Sequence, residues 1–370
     1  MRKVVSGSQA AAEAVKLIKP GVIAAYPITP QTGIVEQLAK WVADGELSSE
    51  FIRVESEHSA MAACIGAQAT GVRSYTATSS QGLALMSELL WIASGMKLPI
   101  VMTVVNRSLS APLSIWNDQA DSLAFRDSGW IQLYCESGQE IFDTHLQAYR
   151  IAESVRLPVM VCMDGYILSH TYEPVELLKD LKGFLPEYKP DICLNPARPL
   201  TLGCLATPEY YQQFKLQQER AMEEAKHIIK EVNRAFYSEF GRIYGNGMLE
   251  TAGLEEAEYG LITLGSVSGT VKAFLDELKI GLIRLKAFRP FPKEDLRKKV
   301  EGLKAVGVLE KACSFGSGGP VWHEVRSCLA GSDIAVSGWI SGLGGKDIGL
   351  EELKLIAEGI KQEKEGIEWV

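Results

Sequence analysis

The sequence predicts an α/β protein of two units, the larger built on a parallel sheet with helices on both faces. Three observations carry that prediction. Short apolar runs alternate with helical patterns along residues 21–163, the rhythm of strand–helix–strand crossovers. One of these runs, PIVMTVV at 99–105, is apolar without alternation, as a strand covered on both faces must be. From Tyr259 onward the alternation restarts, and 370 residues are more than one ordinary core holds.

Taken in order, a helix is expected over 8–18, with Ala11, Ala14, Val15 and Ile18 on one face and Lys19-Pro20-Gly21 ending it. A strand over 22–26 runs into the turn Pro27-Ile28-Thr29-Pro30. The two prolines lack an N–H and fix φ, so this turn is stiff and cannot extend the ladder. A helix follows with Ile34, Leu38, Trp41 and Val42 on one side. Strands are expected at 51–54, 74–78, 99–105 and 158–163. Between them lie a small-residue helix through Ala60, Ala63, Cys64 and Ala67, a helix through Leu85, Met86, Leu89 and Ile92, and a helix over 139–156. The stretch SLSAPLSIWNDQADSLAFRDSGW has no period, and irregular segments of that length in a compact domain are usually functional. Four prolines mark 186–199 as a strap, and 209–240 reads as a long charged helix suited to an exposed or subunit-bridging position. We expect a first domain over 1–240, a linker over 241–258 and a second domain over 259–370. In the second, YGLITLG, GLIRLKAF, AVGVLE and IAVSGWI are strands.

Composition narrows the function. Hydrophobic residues are 46%, charged residues 23%, and the net charge is −8. That balance argues against nucleic acid or an anionic membrane as partner. No apolar run approaches the roughly 20 residues of a membrane span, and the N-terminus lacks a signal-peptide pattern. A cytoplasmic enzyme is expected. The seven cysteines show no C-x-x-C pairing or His clustering, so no zinc or iron–sulfur site is expected in this chain, and the thiols read as buried.

Three polar residues fall just past three strands: Thr29, Glu57 and Arg107. Parallel strands bring such positions to one sheet edge, where open α/β sheets hold ligands. No G-x-G-x-x-G follows the first strand, which removes a Rossmann dinucleotide site. The loop Gly316-Ser317-Gly318-Gly319-Pro320 precedes a helix and suits either an anion or a tight turn.

The segments YPITPQT, VESEHSAMAACIGA, TATSSQGLALM, NRSLSAPLSIW, RDSGW, the D-G-x-x-x-S-H run at 164–170, FRPFP, SFGSGGP and GLGGKDI resemble, in order and over nearly the whole chain, the α subunit of 2-oxoacid:ferredoxin oxidoreductases. Within that family the likeness is to the pyruvate branch, pyruvate:ferredoxin oxidoreductase (pyruvate synthase). The resemblance implies a thiamine-diphosphate pyrimidine-binding domain followed by a smaller transketolase C-terminal-like domain. It implies a β subunit holding the diphosphate end of the cofactor. It also implies γ and δ subunits, or their equivalents, carrying the CoA-side domain and ferredoxin-type clusters, with ferredoxin as acceptor. The [4Fe-4S] clusters and Mg2+ would then sit in partner subunits and CoA would be a co-substrate.

On that resemblance Glu57 is the carboxyl that bonds the far pyrimidine nitrogen of thiamine and favours the tautomer able to take the C2 proton. Its neighbour Glu55 is an alternative two residues away. Arg107 matches the arginine that grips the 2-oxoacid carboxylate, a task suited to a guanidinium fork. Thr29 matches the threonine that offers a hydroxyl at the substrate end, and Pro27 and Ile28 line the cofactor beside it. Read as ordinary residues, the three polar groups are a helix N-terminal acid, a surface ion-pair partner of Asp118 or Asp121, and a turn hydroxyl. The family's pyruvate members often carry Asp-His where this chain has Asn117-Asp118-Gln119, which keeps 2-oxobutyrate, 2-oxoisovalerate and oxalate open as substrates. A non-catalytic scaffold subunit is the remaining alternative.

Overall fold

The computed structural model describes residues 1–181 and 183–370. The first part of the chain forms β1 (Arg2–Ser6), α1 (Gly7–Ile18), β2 (Val22–Ala25), α2 (Thr32–Ala43), β3 (Glu50–Arg53), α3 (Glu57–Ala69), β4 (Ser74–Thr78), α4 (Ser80–Leu85), α5 (Ser87–Gly95) and β5 (Val101–Asn106). It continues through α6 (Ala120–Ala124), β6 (Ile131–Tyr134), α7 (Gly138–Val155), β7 (Val159–Asp164), β8 (Tyr172–Glu176) and α8 (Pro208–Phe240). The second part forms β9 (Leu249–Ala252), β10 (Tyr259–Thr263), α9 (Val267–Ala273), α10 (Leu275–Leu278), β11 (Gly281–Leu285) and β12 (Ala287–Arg289). It ends with α11 (Lys293–Val300), β13 (Ala305–Glu310), α12 (Pro320–Cys328), β14 (Ala335–Ile340), α13 (Leu350–Lys361) and β15 (Gly366–Trp369).

The α/β class is as the sequence predicts. A seven-stranded sheet runs in the order β12-β6-β7-β5-β4-β2-β3 and a six-stranded sheet in the order β15-β14-β13-β10-β11-β9. Every pair within them is parallel except β12 with β6 and β9 with β11. Parallel pairing explains the unbroken burial of β4, β5 and β7, which face helices on both sides. It also puts Asn106 beside Asp164 at the carboxyl ends of β5 and β7.

Several expectations change in detail. The helix expected through Leu85, Met86, Leu89 and Ile92 is two helices joined at Met86, and Leu85 and Ile92 are exposed while Leu83, Leu90 and Ala93 are buried. The expected linker at 241–258 contains β9, an antiparallel edge of the second sheet. GLIRLKAF, expected as one strand, is broken at Lys286: β11 stays in the second sheet and β12 crosses to pair with β6 of the first. The break falls where Lys286 N and Ala287 N both donate to the Met248 carbonyl (3.0 and 2.9 Å), and the Lys286 ammonium there is buried against Glu140 and Thr144. The long helix α8 has no buried residue before Ala221 and one buried stripe from there on, where Ala225, Ile229, Val232 and Phe236 are buried while Glu231, Arg234 and Tyr237 are exposed. Among the cysteines Cys64, Cys135, Cys162 and Cys328 are buried, whereas Cys204 is exposed and Cys193 and Cys313 are partly so, because these three lie in irregular segments.

One apolar cluster runs from Leu83, Leu90 and Trp130 of the first unit to Ile283, Phe288 and Trp322 of the second. Beside it lies a charged network. Arg284, 1% exposed, bonds Glu140, Glu250 (2.9 Å) and the Tyr134 carbonyl (3.0 Å), and pairs with Glu136 at 3.3 Å. Lys286 bonds Glu140 at 2.6 Å, and Lys272 bonds Glu136 at 2.9 Å and Glu250 at 3.1 Å. Burial by itself would raise the Glu140 carboxyl, but Arg284 and Lys286 hold it down to about 2. No helix among the described residues is long and apolar enough to cross a membrane.

Replacing Glu140 with Gln leaves two buried cations short of their anion. Urea unfolding should show a loss of about 3–5 kcal/mol; a loss below 1 kcal/mol would mean the network contributes little. A second expectation concerns His145, which is buried between the Thr103 hydroxyl (2.6 Å) and the Ile141 carbonyl (2.6 Å). Burial pushes its imidazole down to about 4. The unfolded chain therefore takes up the proton first, and the neutral ring's contribution is lost as pH falls from about 6.5 through about 4. The slope is about 1.4 kcal/mol per pH unit, and unfolding of His145→Gln over that window should lack it.

Candidate active site

The turn after β2 is pinned from within. Gln31 is fully buried, donates its side-chain amide to the Ala77 carbonyl at the end of β4, and bonds the Ile28 carbonyl through its backbone N–H at 2.8 Å. Pro27 and Thr29 are left exposed and Ile28 half-buried. Thr29 meets Arg107, but through its backbone: Arg107 Nη1 donates to the Thr29 carbonyl at 2.9 Å. The Thr29 hydroxyl makes no hydrogen bond among the described residues.

Arg107 follows β5 and is 7% exposed. Its Nε donates to the Ser114 carbonyl at 3.1 Å. Two of its three guanidinium nitrogens are thus fixed by carbonyls, and Nη2 makes no hydrogen bond among the described residues. The alternative of a side-chain ion pair with Asp118 or Asp121 is not what forms. Asp121 instead takes the Arg107 backbone N–H at 3.0 Å.

Asp121 is the hub of this edge. Its two oxygens accept from Ser80 N (2.9 Å), Arg107 N (3.0 Å), Asn106 Nδ2 (2.7 Å) and Ser122 N (2.8 Å). Burial pushes its carboxyl up to about 7 against the pull of the Asn106, Ser80 and Arg107 donors. The sequence names this residue only as one acid in an irregular stretch, since nothing local marks it as the group that ties two strand ends together.

Glu57 opens α3, just after the N-cap Ser56, whose hydroxyl accepts from Ser59 N at 3.2 Å. It is 6% exposed, and its carboxylate has no hydrogen-bond or ion-pair partner among the described residues. The first turn of a helix favours an anion there. Gly82 of α4 faces it: a Cβ on Gly82 would lie 2.6 Å from Glu57 Oε1 and 2.4 Å from Thr78 Oγ1. Thr78 Oγ1 and Ser79 Oγ are also buried without a partner. Glu55, by contrast, is exposed and bonded to the Ser59 hydroxyl, so the two acids occupy different environments. Thr29, Glu57 and Arg107 therefore follow the carboxyl ends of β2, β3 and β5, with the 78–82 segment after β4 between them. Gly82, Gln31 and Ser80 escape sequence reasoning because their roles come from neighbours distant in the chain.

The second unit closes one side. Gly344 N donates to Asp118 Oδ2 at 3.2 Å, Gln119 N to the Lys311 carbonyl at 2.8 Å, and Ser266 N to Asp164 Oδ2 at 3.0 Å. The glycine loop at 316–320 does not offer a vacant helix N-terminus. Glu310 already accepts from Val321 N (2.8 Å) and Trp322 N (2.9 Å), so the chain's own carboxylate fills the anion position.

The model for the pyruvate flavodoxin/ferredoxin oxidoreductase, thiamine diP-bdg family matches residues 13–234, and that for the pyruvate:ferredoxin oxidoreductase core domain II matches residues 257–353. Pyruvate synthase subunit PorA of Methanocaldococcus jannaschii is 52% identical, covering 100% of this chain and 97% of that protein. Ketoisovalerate oxidoreductase subunit VorA of Pyrococcus horikoshii is 46% identical, over 100% of this chain and 98% of that one. A solved 2-oxoglutarate:ferredoxin oxidoreductase from Magnetococcus marinus shares the fold, with a TM-score of 0.74 at 22% identity. That match covers 98% of this chain but only 65% of the solved chain. With a family model matched across more than half its length, and relatives aligned almost end to end, this chain belongs to the pyruvate flavodoxin/ferredoxin oxidoreductase family, with a thiamine-diphosphate-binding domain followed by core domain II.

Proposed function

We propose that this chain is the α subunit of a hetero-oligomeric pyruvate:ferredoxin oxidoreductase of the cytoplasm. The reaction is the reversible oxidative decarboxylation of pyruvate with CoA to acetyl-CoA and CO2, two electrons passing to ferredoxin. The observation that carries this reading is Glu57, 6% exposed and without a hydrogen-bond or ion-pair partner among the described residues, whose carboxylate lies where Gly82 has no Cβ, on the strand edge shared with Arg107.

That carboxylate fits a thiamine pyrimidine. Its oxygens accept nothing from the described residues and are free to take a donor, and a protonated ring nitrogen is such a donor. Bound thiamine diphosphate supplies the nucleophilic carbon and the electron sink that decarboxylation needs. In this reading Glu57 holds a proton at the ring nitrogen, and Pro27 and Ile28 flank the ring. Arg107 presents Nη2 to the pyruvate carboxylate while Nε and Nη1 stay fixed on Ser114 and Thr29. The exposed Thr29 hydroxyl completes the acid's contacts. A β subunit would hold the diphosphate with Mg2+, and γ and δ subunits or equivalents would carry the CoA-side domain and [4Fe-4S] clusters. The subunit names of the relatives support such a division.

The ketoisovalerate relative at 46% identity and the Asn117-Asp118-Gln119 run favour a second reading, the same chemistry on another short 2-oxoacid. Initial rates with pyruvate, 2-oxobutyrate, 2-oxoisovalerate, 2-oxoglutarate and oxalate distinguish the two by which kcat/KM is highest.

In the assembled enzyme, Glu57→Ala should lower turnover by on the order of 10²–10⁴ while the subunits still co-purify. Near-normal turnover in that variant refutes the role and returns the scaffold alternative. Arg107→Ala should raise KM for pyruvate by about 10–100-fold, the scale of a lost charge-assisted pair. An unchanged KM removes Arg107 from the substrate site.

A further inference from the structure

Arg107 is held by a loop that the first domain alone supports poorly. The Ser114 carbonyl that fixes Nε lies in a segment without regular structure. Leu113 beside it is 75% exposed and Trp116 is 52% exposed. Within the first domain, the backbone bond that closes the loop is Ser108 N to the Trp116 carbonyl at 3.1 Å, repeated by the Ser108 hydroxyl at 3.0 Å. The Trp116 ring also leans on Tyr166, with centroids 4.6 Å apart.

The remaining support comes from the second domain, through the turn at 342–345 between β14 and α13. Gly342, Gly344 and Gly345 have φ of 75°, 60° and 80°, values glycine adopts without strain. The turn meets the loop at Asp118 and Trp116 and passes near Ser114 and Ser108. Gly344 N bonds Asp118 Oδ2 at 3.2 Å. The Gly344 backbone lies over Ser114 and Ser108, since a Cβ there would stand 3.6 Å and 3.9 Å from their hydroxyl oxygens. Gly345 lies against Trp116 so closely that a Cβ would fall 2.6 Å from the tryptophan Cβ.

We infer that the 342–345 turn is the platform that sets the Arg107 guanidinium, with Asp118, Trp116 and Gly345 as positioning residues for the substrate carboxylate. The inference rests on the reading of Arg107 as the carboxylate-binding group. The path is short: Gly344 bonds Asp118, Gly345 packs on Trp116, the Trp116 N–H bonds the Ser114 hydroxyl at 3.3 Å, and the Ser114 carbonyl fixes Arg107 Nε. The single Nη2 left for the carboxylate tolerates little displacement, because a charge-assisted hydrogen bond weakens steeply as its distance and angle depart from ideal. The second domain therefore acts on substrate affinity without contributing a group to the substrate.

The test uses the assembled enzyme and steady-state kinetics with pyruvate. Gly345→Ala pushes Trp116 and its loop outward, and Asp118→Ala removes the bond to Gly344. Each should raise KM by about tenfold or more with kcat changed less than about threefold. Gly331→Ala is the control: Gly331 has φ of 84°, and a Cβ there would meet nothing within 4 Å, so the substitution adds the same backbone strain away from the loop. It should leave KM unchanged. If Gly345→Ala and Asp118→Ala reduce only yield or kcat while Arg107→Ala raises KM, the platform is overturned and the function of Arg107 stands. If Arg107→Ala also leaves KM unchanged, both fall. Should Gly345→Ala fail to assemble, the KM of Asp118→Ala decides.

Discussion

Four N–H donors converge on the buried carboxylate of Asp121, and the geometry of the whole strand edge follows from that convergence. Two of the donors are the backbone amides of Ser80 and Arg107, just beyond the ends of β4 and β5. Beyond a strand's end such amides have lost their ladder partners, and each costs about 1–3 kcal/mol if buried unmet. Asp121 meets both, and with Asn106 and Ser122 it uses both lone pairs of each oxygen. The consequence runs in two directions. Arg107 leaves its strand with a fixed backbone, so its side chain reaches the Thr29 turn. Ser80 leaves β4 with a fixed backbone, so Gly82 comes to rest against Glu57. A carboxylate outside the proposed contacts thus ties together the strand ends that carry Arg107 and Gly82.

The two sheets cannot be treated as independent bodies joined by a tether. β12 leaves the second unit to pair with β6, and the buried network of Arg284, Lys286 and Lys272 with Glu136, Glu140 and Glu250 sits where the chain crosses. A buried ion-pair cluster is weak evidence of net stability, because desolvation offsets most of the attraction. It is stronger evidence of register: three cations and three carboxylates satisfy one another in a single relative placement. Such placement is what a support for Arg107 requires, since a turn on one unit can fix a loop on the other only if the two do not slide.

Much of this was legible in the sequence, and the failures share a cause. The strands at 22–25, 101–106 and 159–164 announce themselves because parallel strands buried on both faces are apolar runs, SYTAT at 74–78 shows by its aromatic and β-branched residues, and the edge they share follows from topology alone. β6 escapes because IQLY is short and follows the irregular stretch, with no flanking period to mark it. β1 and β8 escape because each is stabilised by a partner about 170 residues away, and neither alone has a strand pattern strong enough to declare it. The split of GLIRLKAF falls where Lys286 N and Ala287 N share the carbonyl of Met248, a residue well before them in the chain, so no window around Lys286 contains the reason. At the site, residue types at strand ends point to Thr29, Glu57 and Arg107, whereas Asp121, Gln31 and Gly82 act through contacts made only after folding.

Burial also separates groups that composition cannot. Glu55 and Glu57 are the same acid two residues apart, yet one is exposed and bonded to a serine while the other is enclosed and unbonded. The start of α3 makes the difference: Ser56 caps the helix, which turns Glu57 inward over Gly82 and leaves Glu55 outside. The glycine loop at 316–320 is closed to an external anion on similar grounds. Burial pushes the Glu310 carboxyl up to about 8, and the amides of Val321 and Trp322 draw it onto the end of α12. Gly319 is required there because a Cβ would stand 1.7 Å from Glu310 Oε1. Gly319 therefore serves an internal carboxylate, as Gly82 serves the carboxylate of Glu57. What distinguishes the two acids is that Glu310 finds its donors within the chain, while Glu57 finds none and is left to take one from outside.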